Sequence, residues 1–233
     1  MFSTKKIKFY SKHFSLIEKP IPAKKKIPNW YKLMENYPAG KVQGGSVKKC
    51  VPFMDALTSG YYIVNNFAVH VSWKDEKVFF HYNQNLKNGF AYELNSGIKD
   101  HLPWQVSKDF FYHDEIPHVF KMDNPWSIKT PKGYSCLFSN PPNTNSPIRI
   151  PEAIVDTDNY EASVNLPFLM KNFKEEIILP AGLPIAWIMP FKRDPWKMEI
   201  YDYDIDTIET YVRLFREFLD NYKNKIWIKK KYD

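Results

Sequence analysis

The chain has 233 residues, 44% of them hydrophobic and 17% aromatic. That is ample for one packed domain with an appendage, and it excludes wholesale disorder. The formal net charge of +7 owes much to Lys24-Lys25-Lys26, Lys229-Lys230-Lys231 and Lys5, Lys6 and Lys8. Without a recognised nucleic-acid module beside these runs, nucleic acid is not expected as the main partner.

Cys50 and Cys136 make neither a disulfide framework nor a zinc site. The first residues lack the continuous apolar run of a secretory leader. No apolar run approaches the roughly 18 residues of a membrane span. The expectation is a soluble, cytoplasmic protein without a transmembrane segment.

Residues 1–50 read as a basic, proline-marked arm packed on the body. Residues 7–10 suit a short strand, and Pro20, Pro22 and Pro28 hold the next stretch extended. Trp30, Tyr31 and Leu33 are expected to anchor this arm over a sheet edge. Residues 51–203 read as a β-sandwich domain. Pro52 opens a short helix that Gly60 ends. Residues 61–72 and 77–82 are the arms of a hairpin around Trp73-Lys74-Asp75-Glu76. The Asn-rich stretch 83–95 reads as a loop pinned by Phe90 and Tyr92, and residues 99–125 hold a strand or two.

From Trp126 short apolar runs alternate with Pro, Gly and Asn clusters, as in antiparallel sandwiches and barrels. Strands are predicted near 126–130, 133–139, 147–155, 161–169, 175–179, 184–191 and 196–202. Residues 204–228 read as one amphipathic helix docked on the same domain. Asp206-Thr207-Ile208-Glu209 resembles a capping box, and Ile208, Val212, Phe215, Leu219 and Tyr222 form a stripe that Tyr211 and Phe218 widen.

Two sets of residues suggest chemistry. If the hairpin turn centres on Lys74-Asp75, His81 faces Ala68 and His70 lies on the same sheet face. Two imidazoles there would begin a site for one divalent metal ion, with a carboxylate as third ligand. The plainer reading has both histidines bonded to backbone or solvent. His113-Asp114-Glu115 matches a His-x-Glu pair, but His118 is the last histidine, so no late strand can complete a facial triad. Asp156 and Asp158 alternate, so on a strand their carboxylates share a face. With Asn140, Asn143 and Arg193 they are candidates for a ligand pocket. The competing reading has Asp158 opening a turn and Asp156 meeting a surface cation. No P-loop, dinucleotide-binding turn or nucleophile elbow is present.

Pro180-Ala181-Gly182 followed by Leu183-Pro184-Ile185 resembles the second cupin motif, with Ile185 where that motif has its metal-binding histidine. Gly-Tyr-Ser-Cys-Leu-Phe-Ser-Asn-Pro-Pro-Asn (133–143), Val-Asp-Thr-Asp-Asn-Tyr (155–160), Val-Asn-Leu-Pro-Phe (164–168) and Leu-Pro-Ala-Gly-Leu-Pro-Ile-Ala (179–186) resemble an uncharacterised family. Its members are encoded by marine tailed phages, including T4-like cyanophages, and by some bacteria. Pro-Phe-Lys-Arg (190–193) and Ile-Pro-Asn-Trp-Tyr-Lys (27–32) extend the likeness, which implies a phage or phage-like origin and no activity.

The expected fold is mainly β: an antiparallel jelly-roll or cupin-like sandwich with an N-terminal arm and a C-terminal helix. The leading functional expectation is a phage-type accessory protein that binds a small polar molecule, or a host component, in a sandwich pocket. The alternatives are a metal-dependent oxygenase or hydrolase using His70, His81 and an acid such as Asp156, and a virion or assembly protein. A homodimer is compatible with each.

Overall fold

The computed structural model describes residues 4–39, 45–75, 77–82, 98–173, 176–202, 204–217 and 221–233. The loop expected at 83–95, with Phe90 and Tyr92, lies outside the described residues, as do Phe218 and Leu219 and the side chain of Phe215.

Among the described residues the chain is mainly β, with fourteen short strands in four antiparallel sheets. In chain order they begin with β1 (Lys8–Tyr10), β2 (Ile21–Pro22), β3 (Tyr61–Val64), β4 (Val69–Lys74) and β5 (Lys77–Tyr82). There follow β6 (Ile98–Asp100), β7 (Glu115–Met122), β8 (Ser127–Lys129), β9 (Tyr134–Ser139) and β10 (Ile148–Arg149). The last four are β11 (Ala153–Val155), β12 (Leu166–Lys171), β13 (Ile177–Leu179) and β14 (Pro184–Lys192). The helices are α1 (Asn29–Leu33), α2 (Val51–Thr58) and α3 (Ile205–Glu217).

Two compact units divide the chain. One is Met1–Ile21 with Gly60–Arg193; the other is Pro22–Ser59 with Asp194–Asp233. The first holds the sheets. A five-stranded sheet runs β11-β9-β14-β3-β2, a four-stranded one β10-β12-β7-β6, a three-stranded one β13-β4-β5, and β1 pairs with β8. Their apolar faces share one core, with Phe138, Ile148, Phe168, Met170 and Ile188 almost fully buried in it. Phe80 on β5 meets Phe120 on β7 at 5.0 Å and Phe168 on β12 at 6.0 Å between ring centres, joining the three- and four-stranded sheets. Edge-on contacts of this kind add to the area that the rings bury.

The prolines obey the sheet's hydrogen-bonding demands. Pro190 follows the point where β14 stops pairing with β3, so only β9 flanks it there. Pro167 likewise precedes the part of β12 that pairs with β10. A missing N–H is harmless where a strand has one neighbour. The turn Pro180-Ala181-Gly182 carries the chain from β13 in one sheet to β14 in another, with Gly182 at φ 72°. Buried Asn65 fastens this corner: its side-chain amide donates to the carbonyls of Leu179 (3.0 Å) and Pro180 (3.2 Å), and its own carbonyl accepts from Gly182 N–H at 2.8 Å. Ile185 is 3% exposed, in the core.

Three local expectations are corrected. No strand forms at 196–202; Trp196, Met198, Ile200 and Tyr201 are each more than three-quarters exposed, so their alternation meets no sheet. Helix α3 starts one residue before Asp206. Asp204 is its capping side chain, accepting from Asp206 N–H at 3.2 Å and Thr207 Oγ1 at 2.7 Å. In the second unit Tyr31 is buried and stacks on Phe53 at 5.9 Å, but Leu33 is 82% exposed and anchors nothing.

Candidate functional site

Asp156, Asp158 and Arg193 come together where the ends of β9, β11 and β14 meet. The Asp158 carboxylate accepts from Gly133 N–H at 2.7 Å and from Arg193 through Nη1 at 2.8 Å and Nη2 at 2.5 Å. Arg193 Nη1 also reaches Asp156 at 3.1 Å, which accepts from Ser135 Oγ at 2.7 Å. The Asp158 side chain is only 3% exposed, and the guanidinium beside it pulls its pKa down to about 2. A bidentate arginine and a backbone amide favour the ionised form. The same partners use the donors and acceptors a ligand would need, so the trio works as a clamp on the strand ends. The two acids do not share a strand face: both follow β11, Asp158 within a turn, and their partner is a cation of the same chain, as the plainer reading had it.

Asn140 and Asn143 lie at the opposite end of β9, about 20 Å away by the rise of a strand. Asn140 Oδ1 accepts from Ile150 N–H at 2.8 Å, and Asn143 takes φ 54° in the loop. The five residues therefore do not line one cavity.

His70 and His81 face each other directly across β4 and β5, both exposed. The closing pair is Lys74↔Lys77, so the turn sits one residue further along than Lys74-Asp75. Asp75, at φ 50°, supplies its left-handed residue, which aspartate tolerates. Ser72 Oγ is 2.9 Å from His81 Nε2. Among the described residues no three His, Cys, Asp or Glu side chains are grouped to hold a metal. His113-Asp114-Glu115 has another use. Glu115, 2% exposed at its side chain, pairs with Arg149 at 2.5 Å and 2.7 Å, and Tyr112 lies 4.1 Å from that guanidinium.

The sandwich unit contains a cleft of about 430 Å³ lined from β4, β5, β6 and β7. Its floor is Ile116, Phe120 and Val78, the first two 4% exposed. Trp73 and Phe79 stand at its side, 39% and 41% exposed. The polar groups are Lys77, Asp100 and His118. Register explains the last two: Asp100 pairs with Phe120 across β6 and β7, so His118 is its diagonal neighbour on the same face.

His118 Nε2 lies 2.9 Å from Asp100 Oδ1, and the His118 ring packs 4.6 Å from that of Phe120. An ionised carboxylate only accepts, so Nε2 is the donor in this bond, which orients the ring. Among the described residues the lining contains no Ser, Thr or Cys. An apolar floor, an indole and a few oriented polar groups are the features of a small-molecule site.

Sequence reasoning missed this cleft. Trp73 and Lys77 read as turn flanks, and His118 mattered only as the chain's last histidine. The one available signal was the crowding of aromatic and histidine residues between 99 and 125. No helix among the described residues is long and apolar enough to cross a membrane. Compared with known proteins, the chain matches no family model and no curated protein sequence.

Proposed function

We propose that the chain is an accessory protein of the tailed-phage kind that its sequence resembles, working in the cytoplasm of the infected cell. Its task is to bind a small polar molecule with one flat apolar face, in the cleft beside Trp73 and His118. The sandwich is read as jelly-roll-like, and the cupin-like turn at Pro180-Ala181-Gly182, with Ile185 in the core, favours a descendant of such folds that binds without that motif's metal.

The observation carrying this reading is the cleft itself: about 430 Å³, aromatic on one side, with Lys77, Asp100 and His118 as the polar groups. That volume lies within the roughly 300–1,000 Å³ of ordinary small-molecule sites. The ligand's apolar face would lie on Trp73 and its hydroxyl, amide or acid groups would meet the polar side. A thermal-shift screen of sugars, nucleosides and amino acids tests it. A ligand at about a hundred times its Kd stabilises by about 2.7 kcal/mol. Trp73→Ala and His118→Ala should each abolish the shift while leaving the unliganded protein folded. A hit whose shift survives both changes would place the ligand elsewhere.

A second reading, the metal-dependent enzyme, has the facing imidazoles of His70 and His81 in its favour. It requires one equivalent of iron, zinc or manganese in purified protein, lost in His70→Ala.

A further inference from the structure

The smaller unit, Pro22–Ser59 with Asp194–Asp233, contains a cavity of about 620 Å³ with a different chemistry. Lys24, Lys223, Lys229, Lys230 and Lys231 line it, against Asp55 and Asp233. Five cations facing two anions leave a positive excess in a concave site, where low-dielectric walls strengthen the field. Two of the cations have carboxylate partners: Lys230 Nζ lies 2.8 Å from Asp55 Oδ2, and Lys24 is bonded to Asp233. Lys229 and Lys231 are attracted to the Asp233 carboxylate at longer range, and Lys223 has no carboxylate partner among the described residues.

The cavity also has an ordered aromatic wall. Trp227 lines it, and its Nε1–H donates to Asp55 Oδ2 at 2.9 Å. Its backbone N–H donates to the Tyr222 carbonyl at 2.9 Å, closing the π-helical turn Tyr222–Ile226 that carries Lys223. Asp55, 15% exposed at its side chain, thus spends one oxygen on fixing both the indole and Lys230. The sequence explains the lysines only as a terminal basic run. The fold bends that run around a tryptophan and brings Lys24 to it from the other end of the chain.

We propose that this cavity binds a phosphate-bearing anion of nucleotide size, with its ring on Trp227 and its phosphates among Lys223, Lys229 and Lys231. Lysines serve as point charges for phosphate oxygens, and an indole offers a stacking face to any base. A half-open cleft of about 620 Å³ is of the size for one such molecule, whereas a nucleic-acid strand follows a continuous basic track.

Isothermal titration of the full chain with ATP, inorganic tripolyphosphate and a short oligothymidylate tests the assignment. ATP should bind once, with a Kd below about 1 mM, the upper end of ordinary metabolite affinities. Added salt should weaken it. Tripolyphosphate should bind more weakly, for want of a ring, and the oligonucleotide no more tightly than ATP. Reversing Lys229 and Lys231 together to Glu should weaken ATP by about tenfold or more, equivalent to about 1.4 kcal/mol. Lys229→Gln with Lys231→Gln should give a smaller loss in the same direction. Lys8→Glu, a charge reversal on β1 in the other unit, should do nothing. Absence of saturable ATP binding, or indifference to the Lys229 and Lys231 changes, overturns the proposal. So do equal affinity for tripolyphosphate, which would make the site one for bare polyphosphate, and affinity that grows with oligonucleotide length, which would make it a nucleic-acid surface.

Discussion

Asp158 and Glu115 show how single carboxylates are spent on holding this fold. The Asp158 pKa lies near 2, against about 3.8 for a free aspartate, because Arg193 and the Gly133 N–H favour the charged form. A depressed carboxylate contributes stability that is fully present above the unfolded-state pKa and is lost as pH falls through the folded-state value. The wild type should therefore lose its advantage over Asp158→Asn between about pH 4 and pH 2. Urea midpoints measured across that range check it; parallel curves would mean that the clamp is not coupled to protonation. Glu115 is likewise buried, and Arg149, raised above its ordinary pKa chiefly by the hydrogen bonds it donates to Glu115, is held among aromatic rings. Removing one member of a buried pair strands the other. Glu115→Ala should cost about 3 kcal/mol in chemical denaturation, while Glu115→Met with Arg149→Met should recover much of that loss. The sequence alone groups Arg193 with Asp156 and Asp158, and the plainer reading, a turn at Asp158 and a surface cation on Asp156, describes what they form. The Arg149–Glu115 pair could not be read along the chain, because the two residues meet only through sheet order.

At the level of strands and turns much more was legible, because alternation and turn residues are local signals. Gly60, expected to end α2, does follow it, at φ 77°. A Cβ there would come within 2.6 Å of the Ile188 carbonyl oxygen and 2.7 Å of Trp187 Nε1. Gly133 has a similar φ of 84° but open space around the same position. Left-handed backbone alone costs a side chain about 1 kcal/mol, and a clash with main chain adds to it. Gly60→Ala should thus destabilise by about 2 kcal/mol or more and Gly133→Ala by about 1 kcal/mol, read from thermal unfolding; equal losses would mean that strain alone governs both. The hairpin shows the limit of local signals. Its face parity came through, placing His70 and His81 on one side, but its register slipped by a pair because Asp75 accepts a positive φ. The segment 196–202 has the alternation of a strand and stays exposed, since a hydrophobic pattern cannot reveal whether a neighbour will be there to pair.

Across the whole molecule, the division into two units was the least accessible feature, since each is assembled from separated stretches. Nothing in the composition of residues 22–59 says that they belong with residues 194–233. The basic cavity inherits that difficulty: Lys24 and Asp55 come from the first stretch, Trp227 and Lys229 from the second. The sandwich cleft, by contrast, draws on Trp73 to Phe120 alone, within one continuous part of its unit.

The interleaving has a consequence for biosynthesis. Residues 22–59 leave the ribosome well before residues 194–233 have been made. At 5–20 residues per second the interval is roughly 10 s. Throughout it, Tyr31 and Phe53 have each other but none of the later stretch, while the strands from Tyr61 onward can already pair. The nascent chain therefore completes its β-rich unit first and its lysine-lined unit last.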